Sequence, residues 1–220
     1  MNKIIVSICL FSLTLIPALS YANEPVNLAL VKKQLMHYHD VGLYDKDIQR
    51  VDTIALAYLK QRIQHADFHG KKPAIVLDID ETSLSNYGDM VTSDFGGTLQ
   101  QFLENEDKGT DPVIQPTLTL YQYAKSHDVA VFFITGRLEY ERKVTEENLR
   151  SAGYQHWDGL TLRDGKHTHT PAATYKTAIR KQLTEQGYDI LLNVGDQNSD
   201  LNGGYADKTF KLPNPYYLIP

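Results

Sequence analysis

An α/β fold, built as a Rossmann-like parallel sheet with helices on both faces, is predicted by two observations. Three short apolar runs, Ala74 to Leu77, Val129 to Ile134 and Ile190 to Val194, have the composition of strands buried on both sides. Segments with helical spacing of apolar residues lie between them, and strands that alternate with helices form parallel sheets. A third observation places the chemistry. Asp78 and Asp80 follow the first run, Thr135 and Arg137 the second, Asp196 and Asp200 the third. Open α/β sheets hold ligands beyond the carboxyl ends of their strands, so these groups can converge there.

The chain has 220 residues, which predicts one domain of ordinary size. Residues 1–22 are set apart from it as a signal peptide. Lys3 gives a positive start, Ile4 to Leu19 is almost wholly apolar, and Ser20-Tyr21-Ala22 offers small residues for cleavage after Ala22. Cys9 lies in that apolar stretch without small residues ahead of it, so it does not read as a lipid-attachment site. Cleavage also removes the only cysteine. An exported protein, periplasmic or secreted and free of disulfides and of any membrane anchor, is expected.

Residues 23–220 then form a single unit. N-terminal helices are predicted within 28–66, over Leu28 to Tyr38 and Asp47 to Ile63, from apolar residues at helical spacing. His65 and His69 stand four apart, as zinc ligands can, but no Glu follows the first His, so these read as ordinary histidines. Gly70-Lys71-Lys72-Pro73 breaks the pattern and leads into the first strand. Residues 83–114 are polar, Gly-rich and dotted with aromatics, with one short helix near Leu99 to Asn105. So long a stretch between core elements is seldom bare loop, and it predicts a small cap over the end of the first strand.

Gln115-Pro116 opens a helix to about Ser126, with Pro in the first turn. Leu138 to Ala152 reads as a charged helix stopped by Gly153. Leu160 to Leu162 is a short strand, and Thr170-Pro171 starts a helix that carries Lys176 and ends near Gln186. Thr209 to Leu212 is the last strand, before a segment rich in Pro and Tyr.

Asp-x-Asp alone is a weak signal, since Asp45 and Asp47 repeat it at a helix start, where acids favour the positive dipole end. Convergence is stronger. Several carboxylates brought together repel and resist desolvation unless a cation joins them. Oxygen ligands with few histidines favour Mg²⁺ over Zn²⁺. Thr135 and Lys176 would complement phosphoryl oxygens, a combination suited to phosphoryl transfer. The net charge of −5 argues against nucleic acid as a partner. Asp196, Asn198, Asp200 and Asn202 also have the alternation of a calcium loop, but neither register completes it. His167 and His169 lack a third ligand and read as a solvated loop. Tyr87 and Phe95 are the rings best placed in sequence to stack on a substrate ring.

The order Asp78-Ile79-Asp80-Glu81-Thr82, Thr135-Gly136-Arg137, Lys176, then Gly195-Asp196 with Asp200, resembles the haloacid dehalogenase superfamily of phosphatases. Within it, the exported start and the LDIDET wording are similar to acid phosphatases related to plant vegetative storage proteins and bacterial class C enzymes. The resemblance covers about 72–212. It implies a Mg²⁺-dependent phosphomonoesterase with Asp78 as nucleophile and Asp80 as general acid and base. It further implies metal ligation by Asp78, Asp80 through its carbonyl, and Asp196, with Asp200 behind them. Thr135, Lys176 and Arg137 would hold the phosphoryl group of a small phosphomonoester, nucleoside monophosphates among the candidates. The rival expectations are a storage or ligand-binding protein on the same fold, and a calcium-binding export protein.

Overall fold

The computed structural model describes residues 24–220 except 66, 67, 69 and 168. Five parallel strands form one sheet in the order β3-β2-β1-β4-β5, with β1 (Lys72–Leu77) at its centre. β2 (Ala130–Leu138) and β4 (Tyr188–Gly195) flank it, and β3 (Gly159–Arg163) and β5 (Lys208–Lys211) form the edges. The α/β architecture is therefore the one expected. The signal peptide and the His65–His69 pair fall wholly or partly outside the described residues.

Side-chain alternation along the central strands explains why their sequences show no polar alternation. Ile75 and Leu77 of β1, with Val131 and Phe133 of β2, join one core cluster, and Ala74, Val76, Phe132 and Ile134 join the other. Both faces are covered, so both sets of side chains must be apolar. On the first face lie α2 (Leu43–His65), α5 (Gln115–Lys125) and α6 (Arg142–Ser151), contributing Tyr44, Ile48, Ala55, Leu59, Leu118, Tyr121 and Leu149. On the second face α7 (Ala172–Glu185) contributes Tyr175 and Leu183.

Two expectations about helices need adjustment. The N-terminal pair does not pack equally: α2 buries its apolar stripe in the core, whereas α1 (Leu28–Asp40) has no fully buried residue. Leu138 does not begin a helix, because β2 continues through it. A 3₁₀ turn over Glu139–Glu141 intervenes before α6, and the Glu141 carboxylate accepts the Leu138 N–H at 2.5 Å.

Residues 83–114 leave the end of β1 and return to α5 through a closed neck. Ile114 N donates to Ser83 O at 3.0 Å and Ser85 N to Pro112 O at 2.9 Å, an antiparallel bridge around Leu84 and Val113. Asn148 of α6 clamps the neck, its amide accepting from Asp111 N and donating to Asp111 O. Between the two ends lie α3 (Tyr87–Thr92) and α4 (Leu99–Glu106). The α4 helix was visible in the sequence, and Thr98 with Gln101 gives it a capping box. The single-turn-and-a-half α3 was not.

Candidate active site

The carboxyl ends of β1, β2 and β4 meet at a cavity of about 390 Å³ whose wall includes Asp78, Asp80, Gly136, Arg137, Lys176 and Asp196. The chain turns sharply after β1 around the Ile79 carbonyl, which accepts from the N–H groups of Thr82, Ser83 and Leu84. Glu81 takes a left-handed conformation (φ 52°) in this turn. Its buried carboxylate accepts from Asn86 N at 2.6 Å and Tyr217 Oη at 2.5 Å, contacts that offset the backbone cost. Burial, then the nearby charge of Asp80, pushes the Glu81 carboxyl up to about 8.

Lys176 reaches the site from the second turn of α7. Its ammonium donates to Asp78 at 2.6 Å and to Asp200 at 2.7 Å, and all three side chains are buried. Burial opposes its charge, but the two carboxylates outweigh this and keep it protonated. The second oxygen of Asp200 accepts the Gln197 N–H at 2.8 Å. Asp200 is thus fixed by an ammonium and an amide. Gly195 leaves the room for it, since a Cβ there would stand 2.5 Å from Asp200 Cβ. Fully buried Arg180 supports the turn behind it by donating to the carbonyls of Asp200, Asn202 and Gly204.

Asp78, Asp196 and Asp200 each bring a carboxylate oxygen within 4.8 Å of the others. Among the described residues, Lys176 is the one ammonium bonded to them. Burial, then the charge of Asp200, pushes the Asp78 carboxyl well up, and Asp196 is raised by the same two causes in the same order. Three buried carboxylates against one ammonium leave an excess of negative charge that a hard cation would relieve. The residues present therefore fit a divalent metal bound through oxygen.

Asp80 has a separate environment. Arg137 donates to it through Nε at 3.1 Å and Nη2 at 2.7 Å, and Asn86 adds a bond at 3.0 Å. Burial alone would raise the Asp80 carboxyl, but the Arg137 charge and these bonds hold it low. Arg137 also pairs with Asp111 at 2.9 Å and approaches Glu106 at 3.7 Å, two acids that the sequence did not single out. Glu106 keeps its proton. Burial, Asp80 and a hydrogen bond to Glu141 push it up to about 10. Among the nitrogens of Arg137, Nη1 is buried and has no hydrogen-bond partner.

Thr135 is fully buried, 3.5 Å from Asp80, and accepts the Arg137 N–H. Asp78, Asp80, Arg137, Asp196, Asp200 and Lys176 therefore line one cavity, and Thr135 lies behind its wall against Asp80 and Arg137. Tyr87 and Phe95 do not. Tyr87 lies flat on His39 at 3.4 Å and donates to Asp40, while Phe95 packs on Tyr216. The rings in the cavity wall are Phe102 and Tyr217. The calcium alternation also dissolves: Asn198 and Asn202 are exposed and Asp196 and Asp200 buried, so the four do not face one point.

Sequence comparison agrees with this geometry. The model of HAD superfamily subfamily IIIB, the acid phosphatases, matches residues 18–220. The chain is 38% identical over 187 residues to the stem 28 kDa glycoprotein of Glycine max, spanning 80% of this chain and 70% of that protein. It is 38% identical over 185 residues to acid phosphatase 1 of Solanum lycopersicum, spanning 80% and 69%. The class C acid phosphatase of Bacillus anthracis shares the fold, with a TM-score of 0.72, 24% identity and 86% of each chain covered. The chain belongs to the HAD superfamily, subfamily IIIB, as an acid phosphatase.

Proposed function

We propose that the protein is an exported, Mg²⁺-dependent phosphomonoesterase that works through an aspartyl-phosphate on Asp78. The observation that carries this reading is the division of labour between the two acids of the first motif. Asp78 lies among carboxylates with the Lys176 ammonium on it, whereas Asp80, two residues on, turns to Arg137 and Asn86. A nucleophile needs a counter-charge as it approaches a phosphate, and a proton-transferring group must stand apart from that attack.

Asp78 attacks phosphorus; Asp80, which Arg137 holds ionised in the absence of substrate, takes up a proton before the attack and passes it to the leaving oxygen. Asp80 then takes a proton from the water that hydrolyses the acyl phosphate, so each turnover restores both groups. Thr135 and Lys176 hold the phosphoryl oxygens, and Arg137 lines the same cavity and assists them. Asp78, the Asp80 carbonyl and Asp196 would hold Mg²⁺, with Asp200 fixing Lys176 behind them. When bound, the ion neutralises the approach of anionic substrate to carboxylate. Phe102 and Tyr217 offer flat apolar surface to the leaving group, which suits a small monoester carrying a ring, such as a nucleoside monophosphate.

The test is Asp78→Asn. Hydrolysis of an aryl phosphate should fall about 10⁴-fold or more, with the fold retained by circular dichroism. Wild-type protein quenched during turnover should carry label from ³²P-substrate in a hydroxylamine-sensitive bond. Near-normal turnover by Asp78→Asn with Mg²⁺ present would remove the covalent route.

A further inference from the structure

We infer that the segment following β5, through Asn214, is a working part of the metal site: Asn214 is a positioning residue that sets which oxygen of Asp196 faces the cation. The inference rests on the metal site proposed above. Asp196 Oδ2 accepts two hydrogen bonds, from Gln197 Nε2 at 2.7 Å and from Asn214 Nδ2 at 2.7 Å. Its other oxygen, Oδ1, has the Thr82 hydroxyl at 3.3 Å. Two amide donors therefore occupy Oδ2, and Oδ1, with the longer Thr82 contact, is the oxygen left to a ligand.

The orientation of the Asn214 amide is not arbitrary. Its Oδ1 accepts the backbone N–H groups of Tyr216 at 2.8 Å and Tyr217 at 3.3 Å, which can only donate. The NH₂ end is therefore forced toward Asp196. The same amide thus closes a local turn and reaches a carboxylate 18 residues away in sequence.

That turn is fastened to the site at several further points. Tyr217 donates its hydroxyl to Glu81 in the first motif. Gln197 receives the Ile219 N–H at 3.0 Å and donates weakly to the Tyr217 carbonyl at 3.4 Å. Ser199 donates to the Ile219 carbonyl at 3.3 Å. Residues 214–219 consequently bridge the loops after β1 and β4, the two loops that carry Asp78 and Asp196. A carboxylate held by fixed donors pays less to adopt the geometry a cation requires, which is why outer partners of metal ligands affect affinity by about 10–100-fold.

Three variants test this: Asn214→Ala, Asn214→Ser and Asn214→Leu. Ser retains a short acceptor for the turn but cannot reach Asp196, so it preserves the test where Ala or Leu unfolds the segment. The readout is Mn²⁺ affinity of the purified full chain, measured by electron paramagnetic resonance of free Mn²⁺, alongside Mg²⁺ titrations of activity. A 10–100-fold weaker Mn²⁺ affinity in Asn214→Ser, with kcat at saturating metal within about threefold of wild type, is expected. Gln197→Met should weaken binding similarly, and the double variant should show non-additive loss because both donors serve one oxygen. Mn²⁺ affinity within twofold of wild type in a folded Asn214→Ser overturns the inference. Asp196→Asn is the control. If it lowers Mn²⁺ affinity and Asn214→Ser does not, the positioning role alone fails; if neither does, the metal site itself is wrong.

Discussion

Asp52 gives a prediction whose size can be worked directly. It lies on α2, 3% exposed, and its one hydrogen bond is from the Thr117 hydroxyl of α5 at 2.8 Å; the other carboxyl oxygen has no partner. The Tyr154 phenol is buried and is raised first by that burial and, to a lesser degree, by the charge of Asp52. Burial pushes the Asp52 carboxyl from 3.8 up to about 7, and the Thr117 bond opposes this only in part. The unfolded chain releases this proton near pH 4 while the folded chain keeps it until about pH 7. Stability contributed by the protonated form is therefore full below pH 4 and is lost as pH rises to about 7, a total of about 4 kcal/mol. Asn at this position accepts from Thr117 and cannot ionise. Urea unfolding of wild type and Asp52→Asn from pH 4 to pH 8 should show a stability difference that grows in favour of the variant by up to about 1.4 kcal/mol per pH unit. The amide has its own burial cost, so the slope of the difference is the quantity to read. A difference that stays flat between pH 4 and pH 8 would falsify the assignment.

Two further outcomes follow from the proposed mechanism and the proposed export. Asp80→Asn should lower hydrolysis of an alkyl phosphate by about 10²-fold more than that of p-nitrophenyl phosphate, whose leaving group needs no proton; equal losses on both would rule out Asp80 as the general acid. In an expressing cell the protein should be recovered from the periplasm or medium with its N-terminus at Asn23; recovery only from the cytoplasm would contradict export, and a retained Met1 would contradict cleavage after Ala22.

The parts of the site legible in the sequence were those at the ends of buried strands. An apolar run that meets Asp78, Thr135 or Asp196 carries its own address, because strand and sheet edge are both readable from one short window. Lys176 was named for the ammonium it could offer beside Thr135 and the acids, although nothing local sets it apart from other helical lysines. Arg137 was named, but its partners Glu106 and Asp111 were not: they lie in 83–114, where no period marks which acids turn inward. Asn214 was invisible for the same reason. Its role depends on an amide orientation fixed by two backbone N–H groups, a property of a turn and not of composition. The stacking of Tyr87 on His39 of α1 was not legible, since no motif announces that helix's position over the insertion.

The closed neck at Ser83–Ser85 and Pro112–Ile114 has an evolutionary consequence. Because the two ends of the insertion bond to one another, what lies between them can be exchanged, lengthened or pared down without moving β1 or α5. Asp78, Asp80 and Asp196 follow directly on β1 and β4, while Phe102 and Glu106 in the cavity wall travel with the exchangeable part. Selectivity for the leaving group can therefore diversify by swapping a module of about two dozen residues, while the hydrolytic chemistry is inherited intact. Asp111 sets the boundary of such a swap. It sits at the neck, held by Asn148 and bound to Arg137, so a graft that ends before it keeps the Asp111–Arg137 ion pair beside Asp80 and one that replaces it does not.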